Sequence, residues 1–119
     1  MPTGQIPIRL SRNVADRVRV YAEEQGVADS ELVKLLFQRE RRLRRLETLY
    51  QKGAAPVRPR KKKGEAEKMD VITVYFTPEE RREFERYVAT CGIKKGDAGA
   101  WLLEQELSEG WLQRSLYAA

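Results

Sequence analysis

The sequence predicts an α+β domain in which two copies of a strand–helix–helix unit fold on each other. Three observations predict it. Residues 6–40 and 72–106 align without a gap at a constant offset of 66, with Ile6/Ile72, Tyr21/Tyr87, Gly26/Gly92, Leu36/Leu102 and Glu40/Glu106 identical. In both copies the apolar period changes from two to the helical period after a short strand. The chain has 119 residues, enough for one hydrophobic core but too few for two. One strand and two helices cannot enclose a core alone, so the copies are expected to share one, with a two-stranded antiparallel ribbon lying on four helices.

The first copy spans 5–51, after a leader at 1–4. Ile6, Ile8 and Leu10 alternate with Gln5, Pro7 and Arg9, which predicts a strand over 5–10. Ser11 suits the N-cap of a helix over 12–25, where Val14, Val18, Tyr21 and Ala22 form an apolar stripe. Gly26 is placed to end that helix. A longer helix is predicted over 29–51, because Leu32, Leu35, Leu36, Leu43, Leu46, Leu49 and Tyr50 recur at helical spacing. Residues 52–68 break the pattern with Gly53, Pro56, Pro59 and Gly64 and read as a basic linker.

The second copy spans 70–108. Ile72, Val74 and Phe76 alternate with Val71, Thr73 and Tyr75. Thr77-Pro78-Glu79-Glu80 predicts a capped helix start, with proline in the first turn and a capping-box glutamate. Phe84, Tyr87 and Val88 make its stripe before Gly92, and a last long helix is predicted over 96–108 with Trp101, Leu102 and Leu107 inward. Trp111, Leu112, Leu116 and Tyr117 predict a short C-terminal helix within 109–119 that caps the core.

Charge separates the halves. The net charge is +5. Residues 1–68 hold 17 Lys/Arg against 9 Asp/Glu, whereas residues 69–119 hold 6 against 9. A basic first copy and linker suit a polyanionic partner. The chain has no histidine and one cysteine, Cys91. A Ser-His pair and an internal disulfide are therefore impossible, and the usual zinc constellations are lacking. No phosphate-binding glycine loop occurs. The expectation is a protein without catalytic residues, metal or cofactor. The absence of a long apolar run or a signal-like start adds the expectation of a cytoplasmic location and no membrane partner.

Strand, helix, glycine turn and helix within about 40 residues is similar to the ribbon-helix-helix family of DNA-binding proteins. Ile6-x-Ile8-x-Leu10, Tyr21-Ala22-Glu23-Glu24-Gln25-Gly26 and Ser30-Glu31-Leu32-Val33 carry the resemblance in copy one. Ile72-x-Val74-x-Phe76 and Gly92-Ile93 carry it in copy two, which departs from the pattern at Gly96-Asp97-Ala98-Gly99. Family members usually dimerise and insert a ribbon into the DNA major groove. With both halves in one chain, the resemblance implies a monomer acting as a pseudodimer, tethered by 52–68. The single-chain form resembles the C-terminal region of the virulence C2 proteins of Agrobacterium tumour-inducing plasmids. That implies an accessory role in processing and transfer of T-DNA, with protein partners in a DNA-processing complex. A transcriptional repressor and an antitoxin-like protein-interaction module, the latter using the tail 109–119, are the alternatives.

On this reading Gln5, Arg9, Val71, Thr73 and Tyr75 face base edges of double-stranded DNA. Pro7 pairs with Thr73, Gln5 with Tyr75 and Arg9 with Val71. Arg9 offers two donors to guanine, Gln5 bridges adenine, and Val71 packs on a thymine methyl. Because Gln-Pro-Arg differs from Val-Thr-Tyr, the expected site is non-palindromic. Phosphate contacts are implied for the starts of the second helices, at Ser30 in copy one and at Lys94 and Lys95 in copy two. Arg58, Arg60, Lys61, Lys62 and Lys63 of the linker are further phosphate candidates. The distal arginines 39, 41, 42, 44 and 45 read as a solvated face that complements the helix dipole.

Overall fold

Strict alternation of apolar and polar residues makes β1 (Gln5–Ser11) and β2 (Met69–Tyr75), which pair antiparallel as a two-stranded sheet. The computed structural model describes residues 4–56, 58 and 69–117. Ile6, Ile8, Leu10, Ile72, Val74 and Phe76 all point inward and are at most 6% exposed. A two-stranded ribbon is marginal alone, so its stability comes from the helices beneath it. These are α1 (Arg12–Glu24), α2 (Asp29–Leu43), α3 (Arg45–Gln51), α4 (Pro78–Thr90), α5 (Lys95–Glu109) and α6 (Trp111–Tyr117). The fold is thus mixed α+β.

The expected punctuation is present. Ser11 accepts from the Val14 N–H at the start of α1. Thr77 and Glu80 form a reciprocal capping box at the start of α4. Gly26 and Gly92 adopt φ of +74° and +65° after α1 and α4. The two copies cross over: α5 of copy two packs on β1, and α2 of copy one packs on β2. Between α2 and α4, Phe37 lies 4.9 Å from Phe84 and 6.1 Å from Tyr87 by ring centroid, and Phe76 joins the cluster. Each such buried ring contributes about 1.5–3 kcal/mol.

The helix predicted over 29–51 is two helices. The chain breaks at Arg44, whose φ of 54° is left-handed. The cause is Glu40, 0% exposed, whose Oε2 accepts from the Leu46 N–H at 2.7 Å and so caps α3. Copy two repeats the device: Glu106 is 2% exposed, its Oε2 accepts from the Leu112 N–H at 2.7 Å, and Gly110 turns the chain at φ 62°. The turn leaves Leu43 and Tyr50 about half exposed, contrary to their place in the expected apolar stripe. The correspondence between copies therefore continues past Glu40 and Glu106, into α3 and α6.

The same carboxylates join the copies. Tyr87 of copy two donates to Glu40 of copy one at 2.6 Å, and Tyr21 of copy one donates to Glu106 of copy two at 2.5 Å. Burial, then the carboxylate bond, pushes the Tyr21 hydroxyl up to about 12 and raises Tyr87 as well. Two tyrosines and two glutamates at matching positions thus form two corresponding clasps, one buried and one part-buried.

Candidate nucleic-acid interface

The pairing register is Gln5 with Tyr75, Pro7 with Thr73 and Arg9 with Val71. Residues 7 and 73 are themselves 66 apart, so the centre of the ribbon pairs a position with its own counterpart. The Phe76 N–H donates to the Gly4 carbonyl at 3.0 Å. Ladder bonds alternate along an antiparallel pair. The hydrogen-bonded pairs are therefore 6/74, 8/72 and 10/70, and the outward pairs are the non-bonded ones. Pro7 consequently lacks an N–H only where it would point away from β2, which is where proline is tolerated. Gln5, Arg9, Val71 and Tyr75 are exposed and Thr73 is half-buried. All five base-reading candidates share one face of the ribbon.

Each end of the ribbon is held by the start of a helix from the other copy. The Tyr75 N–H donates to Ser30 Oγ at 2.9 Å, tying β2 to α2. Ser30 is therefore a strut for the strand as much as a phosphate candidate. Its own N–H donates to Asp29 Oδ1 at 2.7 Å, so a carboxylate already occupies a donor at that helix start. Arg58 departs further from its expected role. It does not project from the linker: its Nε meets Asp97 Oδ1 at 2.7 Å and its Nη1 donates to the Arg9 carbonyl. It braces β1 against α5. Arg60, Lys61, Lys62 and Lys63 lie outside the described residues.

The two helix starts carry opposite charge. In copy one Arg19 of α1 faces Asp29 of α2 at 3.9 Å. In copy two the same positions hold Glu85 and Lys95, 2.7 Å apart. Lys95, an expected phosphate anchor, is thus already engaged, and its ammonium holds the Glu85 carboxyl below its usual range. Lys94 is exposed and forms no ion pair among the described residues. A cleft of about 620 Å³ opens here, with Gln5, Pro7, Lys94 and Lys95 on its walls. Copy one offers Ala28 and Asp29 at the matching place. At these two helix starts, among the described residues, lysines stand on the copy-two side and Ala28 and Asp29 on the copy-one side.

Residues that the sequence did not single out complete the site. Arg19 reaches from α1 to Asp70 Oδ2 at 2.6 Å and to the Val71 carbonyl at 3.3 Å, clamping the start of β2. That hydrogen bond, followed by one from the Val71 N–H, holds the Asp70 carboxyl below its ordinary range. Asp97, about nine-tenths buried, sits under Arg58. The distal arginines are not simply solvated. Arg45 and Arg39 meet Glu109 at 2.6 and 3.6 Å, and Arg41 meets Glu83 at 2.8 Å, all between copies.

Among the described residues no cluster of His, Cys, Asp or Glu is arranged to hold a metal ion. No described helix is long and apolar enough to cross a membrane. Comparison with protein-family models, with curated proteins and with solved structures finds no match to this chain.

Proposed function

We propose that the chain is a tandem ribbon-helix-helix pseudodimer that binds double-stranded DNA by laying its ribbon in the major groove. The observation that carries the reading is the register. It collects Gln5, Arg9, Val71, Thr73 and Tyr75 on one outward face of a two-stranded ribbon flanked by two helix starts. A two-stranded ribbon fits the width of a B-DNA major groove. Arg9 and Gln5 bring hydrogen-bond donors, Thr73 a hydroxyl and a methyl, and Val71 and Tyr75 apolar surface. The face is unlike across its centre, so the preferred site is non-palindromic. The net charge of +5 and exposed Lys94 supply the phosphate attraction.

The reading extends to an accessory or regulatory role on DNA, such as processing for transfer or repression of transcription, and not to catalysis. Leu112 in the tail is buried and its N–H is bonded to Glu106, which weakens the protein-interaction alternative. The test is duplex binding over a salt series, comparing wild type with Arg9→Ala plus Thr73→Ala. The double variant is expected to stay folded and lose about 2–6 kcal/mol of discrimination between sites. Unchanged site preference with an unchanged salt slope means that the chain holds phosphates without reading bases, and ends the proposal.

A further inference from the structure

Positions 66 apart are equivalent in this fold, so each contact between copies can be compared with the contact that two identical copies would make. Where α5 crosses β1, Gly99 lies against Ile8. A Cβ at 99 would stand 2.3 Å from Ile8 Cδ1 and 2.7 Å from its Cγ1. Both residues are buried, so a side chain at 99 requires Ile8 to move within the packed core. At the equivalent crossing of α2 on β2 the residues are Val33 and Val74, each 0% exposed. One crossing joins a large residue to none, and the other joins two of middle size. Copy one paired with itself would drive Val33 into Ile8. Copy two paired with itself would leave Gly99 facing Val74 across a gap, and close-packed interiors tolerate neither.

Three other contacts point the same way. Arg41 meets Glu83, but the copy-one counterpart of Glu83 is Arg17. Arg45 meets Glu109, whose counterpart is Leu43. Phe37 packs on Phe84, whose counterpart is the smaller Val18. By contrast the Tyr–Glu clasps use residues identical in both copies and would form in any pairing.

We propose that the two halves carry a heterospecific pairing code: the surface of copy one fits copy two and rejects a second copy one. The clasps join any half to any half, and the Gly99–Ile8 fit with the unlike ion pairs decides which. The outer face is then always one Gln-Pro-Arg strand beside one Val-Thr-Tyr strand. Exchange of halves between molecules can only be head to tail. This inference rests on the equivalence of the copies and is independent of what the ribbon binds.

The test uses the full chain with a specific protease site inserted between Lys63 and Gly64. The chain is cut after folding, unfolded, refolded with both pieces present and oxidised. Pro7→Cys alone, Thr73→Cys alone and the double variant are compared, with Cys91 buried and out of reach. Residues 7 and 73 form a close non-bonded pair, whose geometry suits a disulfide. In a self-paired half, position 7 would face position 7. The double variant is expected to give at least a tenfold excess of the 7–73 species over 7–7 and 73–73. Comparable yields overturn the proposal. Should the cut chain fail to refold, the uncut chain decides. Gly99→Val is expected to lower the melting midpoint by roughly 5 °C or more, and adding Ile8→Val to recover at least half of it. Gly99→Val as stable as wild type overturns the proposal.

Discussion

Glu40 and Glu106 show how a single side chain can set both local and long-range structure. Each carboxylate stops one helix, starts the next and receives a tyrosine from the other copy. Removing the tyrosine hydroxyl leaves a buried carboxylate oxygen short of a donor, which costs about 1–3 kcal/mol. Tyr87→Phe and Tyr21→Phe are each expected to lower stability by that amount in urea unfolding. A loss below about 0.5 kcal/mol in both would mean that the clasps are incidental. The clasps also predict an alkaline limit. Both tyrosines have raised folded pKa values, Tyr21 to about 12 against the ordinary 10. The folded state keeps protons that the unfolded state releases, so the stabilisation is complete below pH 10 and fades as pH rises from 10 to 12. Urea midpoints across that range should fall more in wild type than in the double phenylalanine variant. The identities Tyr21/Tyr87 and Glu40/Glu106 were visible in the sequence. Their meaning was not, because their contacts span 85 and 47 residues.

At the scale of elements, the strands were the most legible part. Period-two alternation and the constant offset were enough to place Pro7 opposite Thr73, since a two-fold arrangement pairs a central position with its counterpart. The break after α2 was hidden. Leu43, Leu46 and Leu49 continue the helical rhythm, and arginine is an unusual residue for a left-handed turn. Gly110 at the matching position was the available signal. Arg58 was also misplaced by composition: within a run of basic residues it looks solvated, yet its partner Asp97 is 39 residues away. Its role as a brace gives a clear expectation. With its guanidinium engaged by Asp97 and the Arg9 carbonyl, Arg58→Ala should leave the salt slope of DNA binding unchanged and weaken site preference by loosening β1. A slope shallower by about 0.9 would instead make Arg58 a phosphate contact.

Across the whole molecule, the charge reversal between Arg19/Asp29 and Glu85/Lys95 places an anion at the start of α2 and a cation at the start of α5, each paired with the opposite charge on the preceding helix. No composition value reveals this, because the four charges sum to zero. Pairing of β1 with β2 inside one chain has a further consequence, for dilution. A two-chain ribbon must assemble before it can act, and its competent fraction collapses once the protein is scarcer than its dimer dissociation constant. With both strands in one chain, assembly is expected to be unimolecular, governed by a local concentration that the tether sets and that is on the order of millimolar. The melting midpoint is therefore expected to stay constant over a hundredfold range of protein concentration. A midpoint that climbs with concentration would mean that the folded unit contains more than one chain. A handful of molecules should be as fully assembled as a concentrated solution, and each should respond to its target in proportion to its number and not to the square of it.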